Sequence, residues 1–414
     1  MFIFFLILLQ AGVAVPDRLD DLVRVALDQN PEIHAAARRW EAAAARPSQV
    51  RALPNPTVSF TYWNAGSPLP GTSVGENPMS FVEPMLTQRL PFPGKLGLRG
   101  EIAETEADTE GRLYDAERVR VVADLKQAYF DLYYVERSTE TVERSRELLG
   151  RFASVARSRY EVGEGLQQDV LRAQMEETLL EDRLSVLTRQ AGHLRARINE
   201  LLNRPSDTLV RTLPEVTLSS LDYSAEELQA IAEDANPMLD AYRFGIDRSA
   251  RVLDLARKEH LPDFDIRVGR MFMGTFDDMW DVSVSAEIPV FFGRKEKRRV
   301  EEAVAMLRES QSEFDAAGRS VAREVTDYYL AASTAERLER LYREAVIPQA
   351  SLTLESSLAA YRVGDVDFLG VLDNWSTLLD FEVEYYTQVA EHEKALVGLE
   401  ELTGLDLVQT GGDE

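Results

Sequence analysis

The 414-residue sequence contains no cysteine, and this absence excludes several kinds of chemistry. A chain without cysteine has no disulfide, no thiol nucleophile, no cysteine-based metal site and no lipid anchor on an N-terminal cysteine. Only four histidines are present, and no metalloprotease, phosphate-loop or nucleophile-elbow motif occurs. We expect a solvated or packing role for all of them: His34, His193, His260 and His392. The sequence therefore predicts no enzyme, no cofactor and no metal site.

Two further absences concern nucleic acid and membrane helices. The net charge is −25, and no basic stripe of the kind that binds nucleic acid is present. The acidic balance fits a solvated exterior and slightly favours cationic cargo inside any lumen. No stretch reaches the 18 or so consecutive apolar residues of a transmembrane helix, so we expect any membrane insertion to use strands.

The N-terminus reads "MFIFFLILLQAGVAVPDR". Residues 2–9 form an apolar run, small residues follow, and a cleavage site is plausible after Ala14, as in a secretory signal. No Lys or Arg precedes the apolar run, so either the amino group alone supplies the charge or the true start lies upstream. We predict that residues 1–14 are a signal peptide and that the protein is exported.

The remaining sequence contains the same pattern twice, about 200 residues apart. "ALDQNPEIHAAARRWEAAAARPSQVRALPNPTVSF" and "AEDANPMLDAYRFGIDRSARVLDLARKEHLPDFDIRVG" both run Asn-Pro, helix, Leu-Pro, strand. This period is far longer than that of solenoid repeats, so we predict a tandem duplication of one large unit. The predicted segments are a first repeat at residues 15–213, a second repeat at 214–405 and a C-terminal tail at 406–414.

Each repeat is predicted to contain a short helical region, two strands, a long helix, a tight turn and a long return helix. The predicted strands lie at about residues 56–64, 79–92, 263–273 and 279–292. The predicted long helices lie at about residues 98–160, 166–202, 294–361 and 366–402, and Pro348 interrupts the third of them.

The predicted strands alternate apolar and polar residues, which suits lipid on one side and water on the other. A soluble sandwich strand is an equal alternative for any one of them. Aromatic residues lie near the strand ends, where interfacial girdles occur: Tyr62, Trp63, Phe81, Phe92, Phe272, Trp280 and Phe291. Four strands cannot close a membrane barrel, since the smallest has eight. Two chains would supply eight strands, and three would supply twelve, enough for a lumen.

The two long-helix regions are interrupted at equivalent places, by "SRYEVGEGLQQDVLRAQ" and by "AAYRVGDVDFLGVLDNW". Glycine inside a helix costs about 1 kcal/mol relative to alanine, so the repeated Tyr-x-Val-Gly predicts that the chain reverses there. We expect positive φ at the turn glycines, which are Gly163, Gly165 and Gly364. We expect the reversals to be packed by Tyr160, Val162, Tyr361 and Val363.

The duplication, the signal sequence, "NPE", "LPNP", "LPFPGK" and the paired "YEVGEGLQQDVL" and "YRVGDVDFLGVLD" resemble the TolC family of outer-membrane efflux proteins. The resemblance covers about residues 19–405. It implies a mainly α fold with membrane β: long α-helical hairpins form a periplasmic α-barrel of 12 helices. Four strands from each protomer enter a 12-stranded, homotrimeric β-barrel in outer-membrane lipid.

The resemblance also implies a function, which is a passive exit duct of a tripartite efflux or type I secretion system. Such a duct docks an inner-membrane pump through a periplasmic adaptor protein. The alternative is a soluble periplasmic coiled-coil scaffold or adaptor without a channel. Adaptors usually carry one hairpin between small β domains, so the duplication and the two distant strand pairs favour the duct.

In the resembled family the hairpin turns form a periplasmic tip that meets the adaptor and closes as an iris. Asp169 and Asp373 match family aspartates of this gate, and Tyr361 matches a tyrosine that ties the closed helices together, for which we expect Asp169 as the partner. Two positions depart from the family pattern: Gly370 replaces an aspartate and Val366 replaces an arginine. The predicted tip and adaptor contacts are Tyr160, Val162, Gly163, Gly165, Val363, Gly364, Asp365 and Asp367.

A second interpretation of the tip carboxylates is structural, because an aspartate at a helix N-terminus complements the helix dipole. We favour that interpretation for Asp365 and Asp367, which could alternatively hold the gate, and leave both open for Asp169 and Asp373. Five methionines lie in or near the strands: Met79, Met85, Met271, Met273 and Met279. Thioethers bind Cu(I), and some members of the resembled family export heavy metals, but apolar filling is the simpler interpretation.

Overall fold

The computed structural model describes residues 18–66, 73–212 and 215–408. The predicted signal peptide and the end of the C-terminal tail lie outside the described residues. The helices are α1 (Leu19–Gln29), α2 (Pro31–Ala44), α3 (Arg46–Arg51), α4 (Lys95–Glu161), α5 (Gln167–Leu201), α6 (Ala225–Ala235), α7 (Pro237–Lys258), α8 (Glu296–Leu341), α9 (Ile347–Val363) and α10 (Phe368–Thr403). The strands are β1 (Thr57–Trp63), β2 (Phe81–Leu90), β3 (Asp263–Met271) and β4 (Met279–Glu287).

The chain divides into two compact units, and each contains segments of both sequence repeats. The helical unit takes the described parts of Met1–His34, Ala116–Asn236 and Ser320–Glu414. The sheet unit takes the described parts of Ala35–Asp115 and Pro237–Arg319. Each compact unit is thus built from equivalent parts of both predicted repeats.

The repeated Asn-Pro motif joins helix starts to helix ends within the helical unit. Asn30 is buried, and its side-chain oxygen accepts hydrogen bonds from the amides of Glu32 and Ile33 at the start of α2. Its side-chain nitrogen donates to the Leu201 carbonyl at the end of α5, at 3.0 Å. The equivalent Asn236 donates to the Leu402 carbonyl near the end of α10, at 3.1 Å. A capping residue thus also satisfies one of the carbonyls that a helix end leaves unpaired.

The long helices follow the predicted bounds closely, with one local difference between the repeats. The first repeat has no proline between residues 98 and 160, and α4 is continuous there. The second repeat contains Pro348, and residues Tyr342–Val346 form a π-helical turn in which the Ile347 amide bonds to the Tyr342 carbonyl. Proline removes a backbone donor and crowds the preceding turn, which accounts for a π-bulge at this place. None of the described helices is long and apolar enough to cross a membrane.

The sheet unit contains one antiparallel sheet in the order β1-β2-β3-β4. Pro84 lies inside β2, opposite Phe60, and the β2–β3 ladder is interrupted between the pairs Met85–Gly269 and Val82–Phe272. The ladder is interrupted here because Pro84 has no amide hydrogen to donate to β3. Strand β4 ends at Glu287, five residues before the predicted end, because Pro289 follows.

Candidate functional site

The two helix reversals of the helical unit have equivalent backbone geometry. In the first turn Gly163 has φ +79°, and the amides of Glu164 and Gly165 both donate to the Arg159 carbonyl. In the second turn Gly364 has φ +85°, and the amide of Asp365 donates to the Ala360 carbonyl at 3.0 Å. Both are glycine-terminated helix ends of the Schellman type, which satisfy carbonyls that the helix leaves open.

The prediction of positive φ is wrong for Gly165, which is needed for a different reason. A Cβ at this position would lie 2.9 Å from the Tyr160 nitrogen and 3.1 Å from the Arg159 carbonyl carbon. The chain passes close to the preceding helix end because two consecutive amides converge on the same carbonyl. Glycine therefore permits a close backbone approach here.

The predicted packing of the reversals is correct for one side chain and wrong for three. Tyr361 is 3 % exposed, and its ring lies 5.3 Å from that of Phe368 between centroids. Tyr160, Val162 and Val363 are 46 %, 71 % and 73 % exposed. Because backbone hydrogen bonds close these turns, the other side chains are free to project outward. In the single chain the two turns therefore present apolar groups at the surface.

Arg159 connects the two turns, a role for which no motif was predicted. Its Nη1 donates to the Tyr361 carbonyl, its Nη2 donates to the Glu164 carbonyl at 3.3 Å, and its guanidinium lies 4.8 Å from the centre of the Tyr361 ring. The available signal was an arginine directly before the first Tyr-x-Val-Gly.

Asp169 and Tyr361 face each other beside this arginine. Burial raises the pKa of Asp169, while the Leu166 amide, the nearby Tyr361 hydroxyl and the charge of Arg159 oppose the rise. Burial and then the negative charge of Asp169 raise the pKa of Tyr361. The Tyr361 hydroxyl is buried near Asp169, and it has no hydrogen-bond partner among the described residues. These groups line a cavity of about 220 Å³ between the two turns.

Of the remaining predicted carboxylates, Asp367 lines the cavity, whereas Asp365 and Asp373 do not. Asp373 is exposed on α10 and is not among the cavity-lining residues. Asp367 is the N-cap of α10, and its carboxylate accepts a hydrogen bond from the Gly370 amide at 2.9 Å, as the structural interpretation predicts. Asp365 is exposed in the turn before this cap. A Cβ at Gly370 would lie 3.2 Å from both Asp367 Oδ1 and Val366 Cγ1, so glycine leaves room for the cap.

The sheet has one apolar face and one polar face. The strand register places on one face Val58, Phe60, Tyr62, Val82, Pro84, Leu86, Phe264, Ile266, Val268, Trp280, Val282 and Val284, together with the polar Gln88 and Arg270. Phe60 is 76 % exposed and Val284 is 67 % exposed. The opposite face carries Thr57, Ser59, Thr61, Glu83, Thr87, Arg89, Asp265, Arg267, Asp281, Ser283, Ser285 and Glu287. A large uncovered apolar face opposite a polar one is typical of strands with lipid on one side.

The aromatic residues near the strand ends divide between the two faces. Tyr62 and Trp280 lie on the apolar face, where the Arg270 guanidinium lies 5.6 Å from the centre of the Trp280 ring. Trp63 and Phe81 lie on the polar face and stack at 6.4 Å between centroids. The girdle interpretation therefore does not extend to Trp63 and Phe81.

Comparison with known proteins is decisive for the family. A sequence model of the family described as "Outer membrane efflux protein" matches residues 22–204 and 228–405. The chain belongs to the outer membrane efflux protein family. The predicted resemblance is thereby confirmed, and so is the prediction that the chain is not an enzyme, since family members are channels. The protein is an outer-membrane efflux channel with a large periplasmic helical portion.

Individual relatives are distant but are matched over most of their length. The chain is 20 % identical to the cobalt-zinc-cadmium resistance protein CzcC of Cupriavidus metallidurans, over 94 % of this chain and 91 % of that one. It is 22 % identical to the outer membrane protein TolC of Vibrio cholerae, over 88 % and 85 %. The crystal structure of VceC from Vibrio cholerae superimposes with a TM-score of 0.79 at 16 % identity, covering 93 % and 96 %. These likenesses confirm the fold of the outer membrane efflux protein family.

Proposed function

We propose that this chain is the passive exit duct of a tripartite efflux or type I secretion system and works as a homotrimer. The observation that carries the proposal is the four-stranded sheet, in which β1 and β4 are unpaired edges among the described residues and one apolar face is exposed. In lipid, each unpaired backbone group at an open edge costs several kcal/mol. Pairing β1 of one copy with β4 of the next removes both edges, and three copies supply twelve strands.

The proposed lumen is lined by the polar face of the sheet. The carboxylates of Glu83, Asp265, Asp281 and Glu287 outnumber the basic groups Arg89 and Arg267 among the charged residues placed there by the register. An acidic lining raises the local concentration of cations. This supports conduction that favours cationic over anionic cargo, with the energy supplied by the partner pump.

The two turns of the helical unit are the proposed contact with a periplasmic adaptor. Members of the family form trimeric channels that work with adaptors and inner-membrane pumps. Tyr160, Val162 and Val363 expose apolar surface at turns whose backbone hydrogen bonds are already satisfied. Exposed apolar side chains on a rigid turn suit docking of another protein, because little conformational entropy is lost on binding.

The gate is proposed to consist of Asp169, Tyr361 and Asp373, together with Arg159. Arg159 contacts Tyr361 and holds the second turn. It thereby supplies the guanidinium that Val366 cannot supply. In a trimer, three Asp373 carboxylates at the mouth would repel one another and attract cations. Opening of the duct then requires separation of the Arg159–Tyr361 contact.

A matched pair of strand variants tests the duct. Val284→Lys places a charge on the apolar face of β4, whereas Ser285→Lys places the same charge one residue along on the polar face. A lysine facing lipid near the bilayer midplane costs about 2–4 kcal/mol. We expect the first variant to lose trimer from detergent-extracted outer membranes and the second to retain it. Equal yields of trimer, or a wild-type protein that fractionates as a periplasmic monomer, would contradict the proposal.

A further inference from the structure

We infer that the polar face of the sheet carries a binding site for a soft monovalent metal ion, Ag⁺ or Cu⁺. The proposed ligands are the thioethers of Met85, Met271 and Met279 and the carboxylate of Glu83. All four belong to the sheet of a single chain, so the site does not depend on the trimer. It also goes beyond the proposed duct, which needs no bound ion.

The strand register brings these side chains together. Met271 and Met279 are direct partners across β3 and β4. Met85 is the partner of Gly269, and the neighbouring pair Val82–Phe272 places Glu83 opposite Met271. On adjacent strands, directly opposed Cβ atoms are about 4.5–5.5 Å apart and diagonal neighbours about 7–8 Å. Met85 on β2 and Met279 on β4 lie two strands apart, about 10 Å across the sheet, on either side of β3. Because strand residues alternate between faces, all four lie on the same face in two adjacent rows.

Gly269 provides the space in the middle of this group. A Cβ added there would lie 2.5 Å from Glu83 Oε1, so the carboxylate lies directly over the glycine. Gly269 pairs with Met85 on β2 and with Asp281 on β4. The carboxylate is therefore directed into the area that the methionines surround.

The burial of Glu83 without a hydrogen-bond partner points to a ligand. The residue is only 4 % exposed, and its Oε1 is buried without a hydrogen-bond partner among the described residues. A buried charge without a partner is costly, so such groups are found paired or on a cation. Among the described residues no group of three or more His, Cys, Asp or Glu could hold a metal ion.

The chemistry of the group selects a particular class of ion. Thioether ligands favour soft ions such as Cu⁺, and a single carboxylate balances a single positive charge. Ca²⁺ and Mg²⁺ are hard ions that bind oxygen ligands, so the three thioethers do not suit them. Two other methionines are outside the site: Met273 is buried, as in apolar filling, and Met79 precedes β2 and is exposed.

The test uses the purified full-length protein in detergent, titrated with Ag⁺ by isothermal calorimetry. We expect one ion per chain, and at least a tenfold loss of affinity in M271L/M279L and in Glu83→Gln. Met306→Leu, on α8 and away from the sheet, serves as the matched control and retains wild-type affinity. Met85→Leu alone gives a second, milder measurement if the double variant does not fold. X-ray absorption at the silver edge should report sulfur neighbours in the wild type.

Several results would overturn the inference. One is the absence of stoichiometric binding, and another is equal affinity in the wild type and in the folded methionine variants. A third is Ca²⁺ or Mg²⁺ binding that the Met→Leu changes weaken in the same way. Trimer formation and channel conductance are measured separately in metal-free buffer. Failure of the duct proposal is therefore distinguishable from failure of the metal site.

Discussion

Replacing Arg159 by alanine should loosen the contact between the two hairpin turns. The arginine donates a hydrogen bond to the Tyr361 carbonyl and places its guanidinium 4.8 Å from the ring of the same residue. The Tyr361 carbonyl also accepts the Gly364 amide at 3.1 Å, so it retains a partner in the variant. The expected cost is therefore that of the lost contacts, without a penalty for an orphaned acceptor.

The magnitude follows from these two contacts. A hydrogen bond from a charged donor contributes about 1.5–3 kcal/mol, and a cation–π contact contributes about 0.5–2 kcal/mol depending on its exposure. Arg159 is half-buried, so the lower parts of these ranges apply, and their sum is about 2–3 kcal/mol per chain. Since about 1.4 kcal/mol corresponds to a tenfold change, the ratio of closed to open turns should fall by about 30- to 150-fold.

The assay is single-channel conductance of the purified trimer in a planar bilayer. Arg159→Ala should increase the open fraction or the conductance, while Arg157→Ala, an exposed arginine in the same helix turn, should behave as the wild type. Arg159→Lys keeps the positive charge but lacks the planar guanidinium, so its open fraction should lie between those of the wild type and Arg159→Ala. A folded Arg159→Ala trimer with wild-type conductance would refute the assignment of Arg159 to the gate.

Three other predictions concern separate groups. Asp373→Ala should alter conductance and reduce block by divalent cations, and unchanged conductance would argue against a carboxylate ring. Burial raises the pKa of Asp169 above its unfolded value, so its stabilising contribution is present at acid pH and is lost as pH rises through the folded-state pKa. Asp169→Asn should flatten this dependence in melting curves. His392 is buried with its ring nitrogens 2.9 Å from the carbonyls of Ala332 and Ser219. His392→Phe removes both hydrogen bonds and should destabilise the protein by about 1–3 kcal/mol, whereas exposed His34→Phe should have little effect on the melting temperature.

Much of the fold could be predicted because it depends on local sequence. The absence of proline from residues 98–160 predicts the uninterrupted α4, and period-two alternation predicts β4. The glycines at 163 and 364 mark both reversals because a left-handed residue is needed to end each helix. Strand parity alone would also have placed Trp63 on the opposite face from Tyr62.

The site was harder to predict because its contacts join distant parts of the chain. Arg159 and Tyr361 are 202 residues apart, and no local pattern shows that one guanidinium reaches the other turn. Gly165 looks like a positive-φ glycine in sequence, but its constraint comes from two amides that share one carbonyl. The division into two units likewise depends on how the repeats pair.

The two departures from the family pattern at the second turn can be explained together. Gly370 leaves room for the Asp367 cap, and Val366 is accompanied by an arginine on the other turn. Val366 lines the same cavity as Arg159, Asp169 and Tyr361, so an arginine at 366 could reach the same partners.

If the gate requires a guanidinium in this cavity, whichever turn supplies it, Val366→Arg should restore closure in an Arg159→Ala background. The measurement is the open fraction of the double variant, with Val366→Lys in the same background as the control for charge alone. If the double variant has the same open fraction as Arg159→Ala, a guanidinium at position 366 cannot replace the one at position 159. The contact with Tyr361 would then be specific to Arg159.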